Sequence, residues 1–315
     1  MKLAKGLTAG LLTIGAFLSS PVKALETDQY LTWNIELKDS SQAFNDYLNN
    51  ELIPNYLEKV NEGPNKKPNK KSKEELISGL YNYAFHGLYS SRVKHFLNTS
   101  DEIDRFPDKS VSYRKYKRES IYRSNFPFPW FFLPMSRTIN LNGNYLGVDK
   151  IGHFFGFGER YFHKYTKLRG KGINEQEAVE KVINRGIALE ELFVGSIIDG
   201  VFSPADLEAN YQGFIFARDL SSSEEPYFEL SDGKWKLARN MDITKYINPD
   251  FDESYNQSLF SGLRKQFVQK RIKELYTGKE EGQIVNERFE RYSQIPHSFS
   301  YGRVKKDTGK RKRTK

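Results

Sequence analysis

The 315-residue sequence contains no cysteine. This absence excludes disulfide bonds, zinc sites built from thiolates and attachment of lipid to a cysteine. If the protein is exported, its fold must therefore be held by its core alone. The 291 residues that follow the predicted signal peptide are ample to bury such a core.

The sequence also lacks a long apolar run beyond its first 24 residues. No later segment approaches the roughly 18 uncharged apolar residues that a transmembrane helix needs, so no transmembrane span is predicted in the mature chain. Residues 1–24 combine Lys2 and Lys5, an apolar run over residues 7–18 and a Pro-Val-Lys-Ala end. This pattern predicts a secretory signal peptide cleaved after Ala24. We therefore expect an exported protein of the periplasm, either free or held at a membrane surface.

The excess of positive charge lies at the two ends of the chain. The predicted signal peptide contributes three lysines, and residues 303–315 contain eight basic residues and one acid, whereas residues 25–302 have a net charge of about −1. We predict three parts: the signal peptide at 1–24, a single helical domain at 25–302 and a disordered basic tail at 303–315. The tail would attract an anionic envelope component, namely lipid, lipopolysaccharide or an acidic polymer. Export makes nucleic acid an unexpected partner.

Residues 148–165 predict an amphipathic helix whose polar side is unusual. At 100° per residue, one side comprises Asp149, His153, Gly156, Arg160 and His163, and the other Ile151, Phe154, Phe155, Phe157, Tyr161 and Phe162. The polar side is either solvated or buried against another element. Gly156 favours burial, because a glycine costs a helix roughly 1 kcal/mol and is useful where another backbone comes close. Gly152 would extend this groove for a neighbouring helix.

A second predicted helix, about residues 174–199, carries a carboxylate inside an apolar stripe. Glu190 shares its face with Ile183, Gly186, Ile187, Val194 and Ile197. A carboxylate in this position must be paired or protonated, since burying it alone is very costly. Glu190 could form one structural salt bridge or belong to a larger polar cluster.

A third predicted helix begins near Ser203, which is a good N-cap, with Pro204 at its first position. Asp206 then lies beside the positive end of the helix dipole. Asp206 also shares one face with Asn210, Gly213 and Ala217, which indicates packing against another helix. Asn210 is therefore predicted to be buried and hydrogen-bonded.

These segments together resemble the VanZ-like family and the YfiM-like envelope lipoproteins. The match covers about residues 148–213 and lacks the membrane spans of the VanZ-like proteins. It depends on Asp149, Lys150, His153, Asp206, Asn210 and Gly213, with Glu190 or Glu191 in the glutamate position. The glutamine expected three residues after the glutamate is replaced by Phe193 or Val194. The resemblance implies an envelope location and a helical core.

Two functions follow from these side chains. The sequence favours a non-catalytic envelope protein in which a buried polar cluster organises packing or binds an envelope component. The alternative is an acid–base or metal-assisted hydrolase acting on an envelope substrate. The candidate catalytic residues are His153, Glu190 and Asp149, and the candidate binding residues are Lys150, Arg160, Asp206 and Asn210.

No metal ion or cofactor is assigned from the sequence. There is no His-Glu-x-x-His pattern and no cysteine set, and Arg160 between His153 and His163 would repel a cation. A zinc site made by Asp149, His153 and Glu190 is geometrically conceivable.

The overall prediction is a mainly α protein, an irregular helical bundle with one small β-hairpin near 227–237. Asn-Leu-Asn-Gly-Asn at 140–144 is interpreted as a turn before the central helix, and the acidic run at 247–253 as helix capping. Residues 113–122 and 258–278 predict basic helices, the latter with Leu259 facing inward. The aromatic, proline-rich segment 126–134 is either a loop over the core or a membrane wedge, which with the basic tail would support peripheral membrane binding.

Overall fold

The computed structural model describes residues 26–62, 71–86, 90–123, 135–191, 201–222, 224–276 and 282–298. The predictions for the signal peptide, the aromatic segment 126–134, the second half of the second helix and the basic tail lie outside the described residues.

The prediction of a mainly α protein is confirmed. None of the described helices is both long enough and apolar enough to cross a bilayer. The α-helices are α1 (Ser41–Tyr47), α2 (Ile53–Asn61), α3 (Lys73–Ala84), α4 (Arg92–Thr99), α5 (Tyr113–Glu119), α6 (Val148–Arg169), α7 (Glu175–Leu189), α8 (Pro204–Ser221), α9 (Gly262–Tyr276) and α10 (Gln283–Ser293). A π-helical turn at Leu48–Leu52 joins α1 to α2, and 3₁₀ turns lie at Gln29–Thr32, Ile243–Tyr246 and Pro249–Phe251.

Side-chain caps set the start of the helices that carry the predicted polar residues. α7 begins directly after Asn174, whose side chain accepts a hydrogen bond from the Glu177 amide. α8 begins as predicted, with Ser203 accepting from the Asp206 amide and Pro204 at the first helical position. These local interactions explain why periodicity and capping residues locate both helices.

The strands are short, and their pairs are antiparallel. They are β1 (Phe85–His86), β2 (Ser90–Ser91), β3 (Arg105–Phe106), β4 (Thr138–Leu141), β5 (Asn144–Gly147), β6 (Val201–Phe202), β7 (Phe228–Ser231), β8 (Lys234–Leu237) and β9 (Leu259–Phe260). β1 pairs with β2, β3–β4–β5 form a three-stranded sheet, β6 pairs with β9, and β7 pairs with β8. The predicted hairpin near 227–237 is the β7–β8 pair, which turns at Asp232 and Gly233, both with positive φ.

The prediction of a single hairpin is wrong. β4 and β5 form a second one, which turns at Asn142 and Gly143, with φ of 54° and 75°. These angles suit the type I′ turn for which Asn-Gly is the strongest sequence signal. The turn predicted at 140–144 therefore closes a hairpin, and β5 runs directly into α6.

α6 and α8 pack against each other at the centre of the molecule. A Cβ at Gly158 would lie 2.6 Å from the Gly213 carbonyl carbon, and one at Gly213 would lie 1.9 Å from the Phe154 carbonyl oxygen. The backbones therefore meet at Gly158 and Gly213. Gly152 and Gly156 do not face α8: both lie against the Phe85 ring of β1, and Gly152 also meets the Lys94 side chain of the neighbouring helix α4.

The predicted apolar side of α6 lies in the main core. Ile151, Phe154, Phe155, Tyr161 and Phe162 are all buried there, and Phe157 is half-buried. A second apolar cluster joins α5, α9 and α10 through Tyr116, Val268 and Val285. Leu259 is not an inward residue of the basic helix: it lies in β9 before α9 begins, and 47% of it is exposed.

Candidate functional site

A fully buried lysine lies at the centre of the polar residues that the sequence singles out. Lys150 is the third residue of α6, and its Nζ donates to Asp149 Oδ2 at 2.7 Å, Asp206 Oδ1 at 2.5 Å and Glu253 Oε1 at 2.7 Å. An ammonium group has three protons and no acceptor. The three carboxylates therefore use all of its hydrogen-bonding capacity.

Asp149 is held from two sides near the start of α6. The Thr27 hydroxyl donates to its Oδ1 at 2.5 Å, and its own amide donates to the Ser136 hydroxyl at 2.9 Å. An acid in the first turn also interacts favourably with the positive end of the helix dipole. The N-terminal segment and the segment before β4 thus both attach to the cluster through Asp149.

The Ser203 cap connects three acids. Its hydroxyl accepts from the Asp206 amide at 3.1 Å and donates to Glu253 Oε1 at 2.9 Å. Its amide donates to Glu190 Oε1 at 3.2 Å. A residue that the sequence identifies only as a helix cap is therefore the connection between Glu190 and the carboxylates around Lys150.

His153 lies one turn along α6 from Asp149 and contacts α8 through both ring nitrogens. Nε2 is 3.4 Å from Asp206 Oδ2, and Nδ1 is 3.2 Å from Asn210 Oδ1, while the ring stacks on Phe157 with centroids 5.2 Å apart. Burial lowers the pKa of His153, although the Asp206 charge opposes this shift. A neutral ring satisfies Asp206 best with its proton on Nε2, in which case the Asn210 amide turns its NH₂ group towards Nδ1.

The cluster contains more carboxyl groups than cations. Burial, followed by the Asp206 charge, raises the pKa of Glu190 well above its usual range. Burial and the Glu253 charge do the same for Glu26. Burial raises the pKa of Glu253 to about 7 against the attraction of Lys150. For Asp149, burial alone would raise the pKa, but the charge and hydrogen bond of Lys150 leave it below its usual value.

These pKa shifts predict that the protein is more stable at mildly acidic pH than at neutral pH. Glu26, Glu190 and Glu253 keep their protons to higher pH in the folded state than in the unfolded chain, so the folded state binds more protons between about pH 4.5 and 7. The free energy of unfolding should therefore fall as pH rises through this window. Lys150, Asp149 and Asp206, which face Glu253, set the upper limit of the window.

We expect Glu190→Gln to flatten this dependence by about 1–3 kcal/mol between pH 4.5 and 7, since Gln keeps the acceptor for the Ser203 amide but cannot titrate. Urea unfolding at several pH values measures the slope. The exposed Glu229→Gln is the control and should leave it unchanged. Equal slopes in the two variants would contradict the assignment of a protonated Glu190.

The structure brings most of the predicted site residues together. Asp149, Lys150, His153, Asp206 and Asn210 form one continuous network. Glu190 is buried beside this network and joins it through Ser203; within the described part of the chain it makes no hydrogen bond to His153.

Arg160 and His163 do not join the cluster. Both are exposed, and the Arg160 guanidinium lies 4.9 Å from the centre of the Phe157 ring. The polar side of α6 is therefore two surfaces: its first turns are buried in the cluster, and its later turns face solvent. The sequence left open whether the polar side of α6 is buried or solvated. The first turns are buried, and the later turns are solvated.

Glu253, Glu26 and Thr27 were not predicted as site residues. The run at 247–253 caps only a 3₁₀ turn: Asn248 accepts from the Asp250 amide at the start of Pro249–Phe251. Its acids make other contacts, since Asp252 accepts from the Ser254 amide and hydroxyl, and Asp250 accepts from the Ser298 amide. Glu253 instead extends to Lys150. The one indication in the sequence is Lys150 itself. A lysine that is buried needs more carboxylate partners than the adjacent Asp149, and these must come from elsewhere in the chain.

No three His, Asp or Glu side chains among the described residues are arranged to hold a metal ion. Asp149, His153 and Glu190, considered as a zinc site, therefore do not form one, and Asp149 instead bonds to the Lys150 ammonium. Comparisons with family models, with curated proteins and with solved structures find no match to this chain.

Proposed function

We propose that this chain is an exported cell-envelope protein in which the Lys150 cluster organises the packing of the core helices, and that the protein binds an anionic envelope component. The observation that carries the first part is the saturation of Lys150 by acids from three segments: the start of α6, the start of α8 and the turn at Glu253. A network of this kind admits one arrangement of those segments, because any other leaves a charge buried without a partner.

The chemistry of Lys150 favours a structural role. A lysine that acts as a base or nucleophile needs a lowered pKa and a free lone pair. Burial alone would lower the pKa of Lys150, but the surrounding carboxylates raise it well above its usual value. The ammonium therefore stays charged and fully bonded at neutral pH.

The binding part of the proposal depends on charge. The basic tail at 303–315 would attract anionic lipid, lipopolysaccharide or an acidic polymer by electrostatics that weaken with salt. The predicted export and the resemblance to envelope families favour this class of partner over nucleic acid.

The second candidate function is an acid–base hydrolase acting at His153 and Glu190. It is favoured by one observation: the charge of Asp206 contributes to the raised pKa of Glu190, and the same carboxylate lies 3.4 Å from Nε2 of His153. Such a pair could separate the acid and base roles of a hydrolytic step. The two functions differ in what the loss of His153 does to stability.

His153→Ala tests them. If the cluster is structural, the change removes the contacts of the ring with Asp206 Oδ2 and Asn210 Oδ1 and should lower the melting temperature by about 5 °C or more. A catalytic histidine predicts almost no change. The exposed His163→Ala on the same helix is the matched control and should melt like the natural chain. Melting of His153→Ala within about 1 °C of that control would favour the hydrolase.

A further inference from the structure

Two basic helices that are far apart in the sequence contribute to the same buried apolar cluster. Tyr116 of α5 and Val268 of α9 belong to the same buried apolar cluster. Tyr122, just after α5, contacts Phe260, just before α9, with ring centroids 6.3 Å apart. The exposed side chains of α5 and α9, two helices anchored in this shared cluster, make up the α5–α9 surface.

This surface is strongly positive. Residues 113–123 contain five basic residues and one acid, and residues 262–276 contain the same numbers. Since residues 25–302 have a net charge of about −1, the remainder of this part of the chain must be acidic by about nine charges. The exposed basic side chains are Arg114, Lys115, Arg118, Arg123, Lys265, Lys270 and Lys273.

The cations of the two helices are close enough to interact. Burial, and then the positive charge of Arg264, lowers the pKa of Lys117. Glu274 neutralises part of this charge, since it lies 3.7 Å from Lys270 and 3.9 Å from Arg271. Concentrating like charges in this way is unfavourable in the isolated protein, and an anionic partner would relieve it.

Apolar side chains border the positive charge. Leu259 is 47% exposed in β9 directly before α9. Tyr113 is 43% exposed at the start of α5, although one face of its ring lies against the Arg137 guanidinium. A soluble polyanion offers nothing to bury a leucine, whereas the headgroup region of a bilayer accepts basic, tyrosine and isolated apolar side chains together.

We propose that α5 and α9 form a docking surface for an anionic lipid bilayer, separate from the basic tail. This inference rests on the proposed envelope location only for which membranes the surface would meet. Binding to vesicles tests the surface, and cell fractionation separately tests the location. Each exposed basic residue near an anionic bilayer contributes about a fivefold gain in binding.

The experiment is co-sedimentation of the full chain with phosphatidylcholine vesicles, with and without phosphatidylglycerol, at low and high salt. We expect binding only to the anionic vesicles and loss of binding at high salt. The surface variant is Arg114→Glu, Lys115→Glu and Lys265→Glu together. The control is Lys167→Glu, Lys171→Glu and Lys236→Glu, which changes the net charge equally at exposed positions elsewhere.

The surface variant should bind anionic vesicles about 100-fold or more less tightly, and the control within about threefold of the natural chain. If both variants bind like the natural chain, the tail alone carries attachment and the proposal fails. Equal losses in both variants would show an effect of net charge only and would also overturn it. Should the charge reversals prevent folding, the corresponding glutamine substitutions test the same surface.

Binding to a soluble acidic polymer, polyglutamate, distinguishes a site for a polyanion from a site for a bilayer. Leu259→Ser should weaken vesicle binding several-fold without changing its salt dependence, because the leucine contributes burial and no charge. Polyglutamate that binds as tightly as the vesicles, with no effect of Leu259→Ser on either, would identify a polyanion site and contradict the bilayer proposal.

Discussion

Lys150→Met should lower the free energy of unfolding by about 3–5 kcal/mol. Methionine fits the space of the lysine chain but leaves Asp149, Asp206 and Glu253 without the cation that all three contact. These groups are buried, so water cannot replace the lost partner without opening the core. Urea unfolding followed by circular dichroism measures the change.

Two further variants make this prediction specific. Lys171→Met removes a charge from an exposed position and should alter stability by less than about 0.5 kcal/mol. Asp206→Asn keeps a side-chain acceptor near Lys150 and His153 and should fall between the two, at about 1–3 kcal/mol. A Lys150→Met protein as stable as the Lys171→Met control would mean that the cluster does not organise the core.

Gly213→Ala has the second large expected effect. The new Cβ would lie 1.9 Å from the Phe154 carbonyl oxygen, 2.7 Å from its carbonyl carbon and 2.9 Å from its Cα. Backbone atoms cannot rotate away as a flexible side chain would, and α8 is also held from the other side, where Tyr81 donates to the Gly213 carbonyl at 2.6 Å. Separation of α6 from α8 should cost about 3 kcal/mol or more.

The control for this change is Gly170→Ala. Gly170 ends α6 with φ of −62°, and a Cβ there would meet the Thr166 oxygen at 3.4 Å. Alanine should therefore be neutral or slightly stabilising, by up to about 1 kcal/mol. Chemical denaturation of both variants gives the comparison. Similar stabilities for the two would show that the helices do not approach each other as closely as described.

The parts of the site that were predictable from sequence lie on single helices. The spacing of Asp149 and His153 places both on one side of α6, and the Ser203 cap fixes where Asp206 and Asn210 lie on α8. The burial and hydrogen bonding of Asn210 follow from the small residues that continue its face. These inferences succeeded because helix period and capping are local properties of the chain.

Most of the features that the sequence analysis did not predict depend on contacts between distant segments of the chain. Nothing near Glu253 indicates that it meets a lysine 103 residues earlier in the chain. Gly158 likewise carries no local sign that it, and not Gly156, touches α8. The second hairpin is a different case, since Asn142-Gly143 is a strong local signal that was interpreted only as a turn. Long-range pairing is specified by the whole fold and not by the pattern around one residue.

The most direct test of the structural role of Lys150 is nuclear magnetic resonance of its side-chain nitrogen in the natural protein. An ammonium that donates to Asp149, Asp206 and Glu253 inside the core should show slowly exchanging protons and stay charged well above its usual pKa. Rapidly exchanging Lys150 protons, or loss of the charge near or below a pH of about 10, would contradict the account.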